Sequence, residues 1–181
     1  MSTGKAAFRI GRRIGKHPVA SVLFCLTERL LPVKRIARTP GLVAFHHPRP
    51  VADPHILIVP TRPFPALTTD RLTTREKAGI VWQMTQLARE IMPHGNYQFV
   101  INGGERQDIG QVHAHLLKEE SGIAAGARAL MDPATEPEQW EELFADLQNA
   151  AEIPGNGFSL EIHWNEGSDP GATISQTHSR R

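Results

Sequence analysis

Two histidines separated by one residue, His113 and His115, lie in a segment where polar and apolar residues alternate. Side chains of a β-strand alternate between its two faces, so a strand over 111–118 places Gln111, His113 and His115 on one face. The apolar residues between them then point into a core. Successive polar side chains lie roughly 6–7 Å apart along such a strand. The sequence thus predicts a row of one amide and two imidazoles.

These residue types suit chemistry at phosphorus. Imidazole is a good nucleophile because its neutral form is well populated at pH 7. The N–P bond that it forms is labile, which allows a displacement in two steps. A neighbouring imidazole can hydrogen-bond a phosphate oxygen or protonate the leaving group. The loop at Asn102, which two glycines follow, could bring backbone amides close to the phosphate.

Two other interpretations of the histidine pair stay open on the residues alone. Two histidines at this spacing can be incidental surface residues. The His-x-His spacing also occurs among metal ligands, with His47 or His55 as a further ligand. No carboxylate or cysteine lies at ligand spacing, so the sequence favours neither a metal nor another cofactor.

The elements around the histidines predict an α+β fold, with one long helix on a largely antiparallel sheet. Thr73 and Glu76 form a capping box at the start of that helix, which is expected over 74–92. Most strands are joined by connections of hairpin length, which favours antiparallel pairing. A shorter helix is expected over 19–31, and the predicted strands are 33–38, 42–47, 55–59, 97–101 and 111–118.

Residues beyond 120 predict an extension made of one helix and one strand. A second capping box, Thr135 to Glu138, is expected to start the helix. Alternating apolar residues over 158–164 indicate a strand with one buried face, on which His163 would be exposed. We expect a poorly ordered basic arm at 1–18, a catalytic domain at 19–120, the extension packed on it at 121–165, and a disordered tail at 166–181.

Composition excludes several function classes. The chain has 181 residues, enough for one domain with a sizeable core, and its net charge of +1 indicates neither a nucleic acid nor a membrane as partner. Cys25 is the only cysteine, which excludes a disulfide framework. The apolar run at 19–26 is too short to span a bilayer and lacks a cleavage site, so we expect a cytoplasmic protein.

The histidine segment resembles the signature of the histidine-triad (HIT) superfamily, in which three histidines alternate with apolar residues after Gln-x-Val. The matching residues are Gln107-x-Ile109-x-Gln111-Val112-His113-Ala114-His115-Leu116-Leu117. Further pieces are similar to the family in the same order, so the resemblance covers about residues 22–118. These pieces are Leu23-Phe24-Cys25, Leu31-Pro32-Val33-Lys34, Leu42-Val43-Ala44-Phe45 and Pro54-His55-Ile56-Leu57-Ile58-Val59-Pro60.

The resemblance implies a role for each matching position. His113 would be the nucleophile that binds a nucleoside monophosphate, His115 would contact phosphate and assist the leaving group, and His55 would complete the polar cluster. Gln111 takes the place of the first triad histidine and cannot carry a proton, although it can hold a neighbouring ring. The substrate-binding positions implied in this way are Phe45, His46, His47, Asn102, Gln107, Leu23 and Phe24.

The resemblance also implies the reaction. It is hydrolysis of a phosphoramidate or a dinucleoside polyphosphate of a purine nucleoside, carried out by a homodimer that pairs its sheets across a two-fold axis. Two alternatives remain: a nucleotidyl transferase or phosphorylase, and a weakly active nucleotide-binding interaction protein. Gln111, and His47 in place of a ribose-binding Asp, would be signs of weak activity. Val22 replaces a zinc-binding cysteine of some members, so structural zinc is not expected.

Overall fold

The computed structural model describes residues 19–27, 30, 32–119, 127–164 and 169–178. The described residues form one sheet in the order β1-β2-β3-β5-β4-β7-β8-β6, and every recorded pairing is antiparallel. This arrangement confirms the predicted α+β fold. The helices are α1 Val19–Thr27, α2 Thr74–Ile91 and α3 Pro137–Glu152, and the strands are β1 Arg35–Arg38, β2 Leu42–His46, β3 His55–Pro60, β4 Tyr97–Gly104, β5 Ala114–Lys118, β6 Arg128–Ala129, β7 Asn156–Trp164 and β8 Gly171–His178.

Helices α2 and α3 share the main core with one face of the sheet. On that face Phe99 of β4 pairs with Leu116 of β5, and both are fully buried in the cluster that includes Met84 of α2 and Leu147 of α3. The long helix begins where the sequence predicts. The hydroxyl of Thr73 accepts the N–H of Glu76, and the Glu76 carboxylate accepts the N–H of Thr73. The predicted capping box of α2 is therefore confirmed.

Strand β4 has a neighbour on each side, and one of them comes from the extension. β5 pairs with its first half, and β7 pairs with all of it, from Tyr97 opposite Trp164 to Gly104 opposite Gly157. The two strands approach closely at Gly103, where an added Cβ would lie 2.2 Å from the Phe158 ring. The extension therefore continues the sheet that carries the histidines.

Three expectations for the C-terminal part were wrong. The chain over 171–178 is strand β8 and not a disordered tail, because its backbone pairs along β7 and Ala172 is buried in the core. The second capping box is absent, since α3 starts at Pro137 and the Thr135 hydroxyl donates to Asp132 instead. His163 is only 2% exposed, because β7 lies between two strands and the ring bonds Glu119.

The predicted basic arm at 1–18 lies outside the described residues. Among the helices that the structure describes, none combines the length and the apolar character needed to cross a bilayer.

The contact between β4 and β7 predicts the effect of Gly103→Ala. The new methyl group would collide with the buried Phe158 ring, so we expect the free energy of unfolding to fall by about 1–3 kcal/mol, as for other overpacked cores. Urea denaturation followed by circular dichroism measures this change.

Gly79→Ala is the matched control, because an added Cβ at Gly79 in α2 meets no atom within 4 Å. Alanine has the higher helix propensity, so this variant should gain up to about 1 kcal/mol. Equal stabilities for the two variants would contradict the close packing of the extension.

Candidate active site

His113 lies directly before β5 and is held by its own backbone neighbourhood. Its Nδ1 is 2.9 Å from the backbone oxygen of Gln111. A carbonyl oxygen can only accept, so this bond assigns the proton to Nδ1 and leaves the lone pair on Nε2. Burial lowers the pKa of His113, although the Gln111 carbonyl and Asp108 act in the opposite direction. The ring is therefore neutral at pH 7, with the lone pair on Nε2.

The Gln111 side chain is enclosed by Ser21 of α1 and by residues 60–64, and the face that it shares with the two histidines stays a prediction. Its amide nitrogen donates to the backbone oxygens of Pro60 and Arg62, while its oxygen accepts the Phe64 N–H. The oxygen also accepts the hydroxyl of Ser21 in α1. Gln111 is 1% exposed and acts as a structural clamp.

The second imidazole, His115, lies beside His113 and receives a hydrogen bond from a third ring. The centroids of His113 and His115 are 5.0 Å apart. His55 Nε2 on β3 is 2.9 Å from His115 Nδ1, and the Val51 N–H donates to His55 Nδ1 at 3.3 Å. Because that nitrogen of His55 accepts, its proton is on Nε2 and points to His115. The His115 proton is then on its own Nε2.

The hydrogen-bonded rings of His55 and His115, which we call the histidine relay, are both neutral near pH 7. Burial lowers the pKa of His55 to about 4, with a smaller contribution from His47. Burial lowers the pKa of His115 to about 3, and repulsion by the neighbouring histidines adds to the effect. Neutral rings keep the tautomers that the hydrogen bonds assign. Nε2 of His113 therefore offers a lone pair, and Nε2 of His115 offers a hydrogen.

His47 covers the relay from outside. Its ring stacks on His55, with centroids 4.1 Å apart and planes 8° from parallel, and its Nδ1 accepts the Arg49 N–H. Ring nitrogens of His47, His55 and His115 all lie within 4.8 Å of one another. An ion would have to replace the proton between His55 and His115, and the lone pairs of two stacked rings lie in separate planes. Metal binding releases protons from its ligands, so these three rings could hold an ion, and a metal-free site stays a prediction.

An apolar patch adjoins the histidines on the same face of the sheet, which we call the histidine face. It is the face of Phe45, Leu57 and His115, which pair across β2, β3 and β5. Phe24 of α1 packs against the cluster formed with Phe45. The members of this patch are Val43, Phe45 and Val59, with Phe24, Val33 and Leu57 at its border.

Two of the predicted substrate-binding residues lie away from this patch. His46 pairs with Ile56, whose side chain belongs to the main core, so the register places His46 on the opposite face. It is exposed there. Leu23 is 47% exposed and is not a member of the patch. The structure thus brings Phe24, Phe45 and His47 near the triad segment, and leaves Leu23 and His46 apart from it.

Asn102 lies within β4, whereas Gln107 lies in the loop that follows it. Ile101 pairs with Ala114, so continuing the ladder by one residue sets Asn102 opposite His113. The Asn102 oxygen accepts a hydrogen bond from Ser159 at 2.9 Å. Gln107 is buried, and its amide nitrogen donates to the backbone oxygens of Ile109 and Pro65, so it holds the loop.

Sequence reasoning missed three contributors to this site. Val51 acts through its backbone N–H, which no side-chain pattern can reveal. Ser21 and Ser159 are single serines that reach the site from distant segments. Their role depends on contacts more than 50 residues apart in the chain, and no local motif marks them.

A family model described as the HIT domain matches residues 29–122, which is more than half of the chain. The chain belongs to the HIT domain family. Strands β7 and β8 and helix α3 lie outside the matched residues of this HIT chain. No curated protein sequence matches it.

Solved structures of HIT proteins are similar to part of the chain. One is a histidine triad protein from Clostridium difficile, at 24% identity over 56% of this chain and 93% of that chain, with a TM-score of 0.45. A HIT family hydrolase from Legionella pneumophila is 20% identical over 57% and 96%, with a TM-score of 0.44. A histidine triad nucleotide-binding protein from Candida albicans is 22% identical over 70% and 97%, with a TM-score of 0.38.

The lowered pKa values of the relay predict how stability of this HIT chain changes with pH. In the unfolded chain these histidines bind protons below about pH 6.5, whereas in the folded chain His55 does so near pH 4 and His115 near pH 3. The unfolded state therefore binds more protons in this window, and the free energy of unfolding should fall as the pH drops from 6.5 to 4. Urea midpoints at several pH values measure the slope.

His115→Asn removes one of the titrating rings and should make this slope shallower than in the wild type. Equal slopes in the two proteins would show that the histidine relay does not titrate as its burial requires.

Proposed function

We propose that this protein is a hydrolase that passes a nucleoside monophosphate through a covalent bond to His113. The observation that carries the proposal is the pair of opposite tautomers at neighbouring rings. Nε2 of His113 has a lone pair, and Nε2 of His115 has a hydrogen, as their hydrogen-bond partners assign them. A nucleophile beside a donor is the arrangement that two-step displacement at phosphorus needs.

In the first step, the lone pair of His113 Nε2 would attack the phosphorus. The bond from phosphorus to the leaving group breaks with its electron pair, and the leaving group takes up a proton. The hydrogen on His115 Nε2 is directed to a phosphate oxygen or to the leaving atom. The Gln111 carbonyl keeps its bond to Nδ1 and stabilises the positive charge that the ring acquires.

In the second step, water would attack the same phosphorus. The N–P bond breaks, its electron pair returns to Nε2, and the nucleoside monophosphate leaves. The attacking water releases one proton, which balances the proton taken up by the leaving group. The ring returns to its starting tautomer because the bond from Nδ1 to Gln111 is never broken.

We further infer that Gln111 stands at the first triad position, where the family signature has histidine. The buried amide supports a scaffolding role there, since its recorded partners belong to α1, to the last residue of β3 and to the segment that follows it. Proton transfer in the proposed reaction does not use this side chain. The glutamine would therefore be compatible with turnover.

The substrate that we propose is a phosphoramidate or a dinucleoside polyphosphate with a purine base. Phe24 and Leu57 at the border of the apolar patch are half-buried, and a flat aromatic base would pack against them. Leu57 of the same patch pairs with His115, so a base on the patch would bring its phosphate close to the relay.

Incubation with an adenosine phosphoramidate or diadenosine polyphosphate, followed by quenching in base, tests the proposal by mass spectrometry. We expect a nucleotidyl adduct in the wild type, and His113→Ala should lose the adduct and reduce turnover by about 10³-fold or more. His115→Ala should keep Nε2 of His113 and slow turnover by about 10²-fold.

His94→Ala is the control, because His94 is exposed and lies outside the histidine relay. Turnover that requires phosphate or a sugar phosphate would assign the transferase activity instead. Tight binding of AMP without any adduct would contradict the covalent mechanism.

We also propose that the chain forms a homodimer by sheet pairing, as its family resemblance implies. β4 lies inside the sheet, so such pairing would use β1 or the edge of β8 beyond Gly171 and Ala172, the two residues that β6 covers. Size exclusion with light scattering should give twice the chain mass, and a monomer at micromolar concentration would contradict the dimer. The cytoplasmic location stays a prediction.

A further inference from the structure

Ser159 of β7 lies in the extension, outside the residues that match the HIT domain, and it bonds a residue of the candidate active site. We propose that Ser159 is a positioning residue that turns the amide nitrogen of Asn102 toward the phosphate on His113. This inference rests on the proposed function, because it assigns the phosphate its place beside His113.

The sheet register brings the three residues into one line. Asn102 and Ser159 are direct partners in the ladder between β4 and β7. On the other side of β4, the ladder with β5 ends at Ile101 and Ala114, and its next step sets Asn102 opposite His113. Val100 and His115 are paired partners two residues away on the same face, which confirms the parity of this alignment.

The hydrogen bonds assign both ends of the Asn102 amide. Arg106 Nη1 is 2.6 Å from the Ser159 hydroxyl oxygen, and a guanidinium can only donate. The hydroxyl hydrogen is therefore directed to Asn102 Oδ1, 2.9 Å away. With its oxygen held on the Ser159 side, the amide presents Nδ2 and its two hydrogens on the other side. Amide hydrogens are the groups that a phosphate oxygen binds.

Gly157 of β7 has no side chain, and this leaves room for Arg106 to reach Ser159. A Cβ added to Gly157 would lie 2.6 Å from Cγ of Arg106, so the arginine crosses β7 over a glycine. The loop is also tied to β7 by its backbone, since the Glu105 N–H donates to the Asn156 oxygen at 3.3 Å. The extension thus fixes the loop from which Arg106 reaches Ser159.

Burial makes the arrangement rigid. Ser159 is 0% exposed, so its hydroxyl has no bulk water as an alternative partner. Leaving a buried donor or acceptor unpaired is unfavourable, and this keeps the oxygen of Asn102 on Ser159 before any substrate arrives. The Asn102 nitrogen is then already oriented when the phosphate binds, without a loss of side-chain freedom at that step.

A double-mutant cycle tests the inference, with hydrolysis of an adenosine phosphoramidate and the Kd of AMP as measurements. Ser159→Ala should lower kcat/KM and weaken AMP binding by roughly fivefold, as expected for one lost hydrogen bond. In the Asn102→Ala background the same change should have less than about a twofold effect, because Ser159 acts only through Asn102.

Ser175→Ala is the matched control. Ser175 is the ladder partner of Ser159 on β8 and lies one strand further from Asn102, so its removal should leave both measurements unchanged. If Ser159→Ala does not fold, Arg106→Met replaces it in the cycle, since it removes the donor that directs the Ser159 hydroxyl.

The outcomes separate this inference from the proposed function. An active wild type in which Ser159→Ala behaves like Ser175→Ala, or loses as much in the Asn102→Ala background, would overturn the inference alone. A wild type that forms no adduct but binds AMP would overturn the covalent mechanism, and the cycle on Kd would still decide the role of Ser159. A wild type that neither forms an adduct nor binds AMP would overturn both the proposed function and the inference about Ser159.

Discussion

The bond between His113 Nδ1 and the backbone oxygen of Gln111 is the constraint on which the site depends. A buried imidazole without a fixed partner could carry its proton on either nitrogen, and half of those forms would have no lone pair facing the substrate. The carbonyl removes that choice. The Gln111 side chain in turn anchors this carbonyl, because its amide bonds the backbone on both sides of Thr61. Gln111 therefore orients the His113 ring through its main chain and is itself held in place through its side chain.

The two faces of the sheet carry different groups of residues. The face against α2 and α3 holds the main core, whereas the histidine face carries the relay and the apolar patch. Neighbouring residues of β5 serve both purposes, since Leu116 is fully buried in the core and His115 points to the relay. β7 continues both faces, with Leu160 in the core and Ser159 on Asn102. The extension is therefore part of both layers.

Local patterns predicted what local interactions determine. The capping box of Thr73 predicted the start of the long helix, and connections of hairpin length predicted the antiparallel sheet. The errors came from contacts between distant segments. The clamp around Gln111 was not predicted, because its partners near residues 21 and 60–64 are distant from it in the sequence. His163 is buried although its position looked exposed, since Glu119, which follows β5, bonds its ring. Residues adjacent in the sequence to Gln111 or His163 do not reveal these contacts.

Helix α1 connects two parts of the site. Ser21 bonds the side chain of Gln111, and Phe24, one turn later, packs on the patch around Phe45. A helix moves as a rigid rod over one turn, so a shift that uncovers the aromatic patch also pulls on the residue that holds the His113 ring. Exposure of the aromatic patch and the orientation of the His113 ring are therefore coupled through α1.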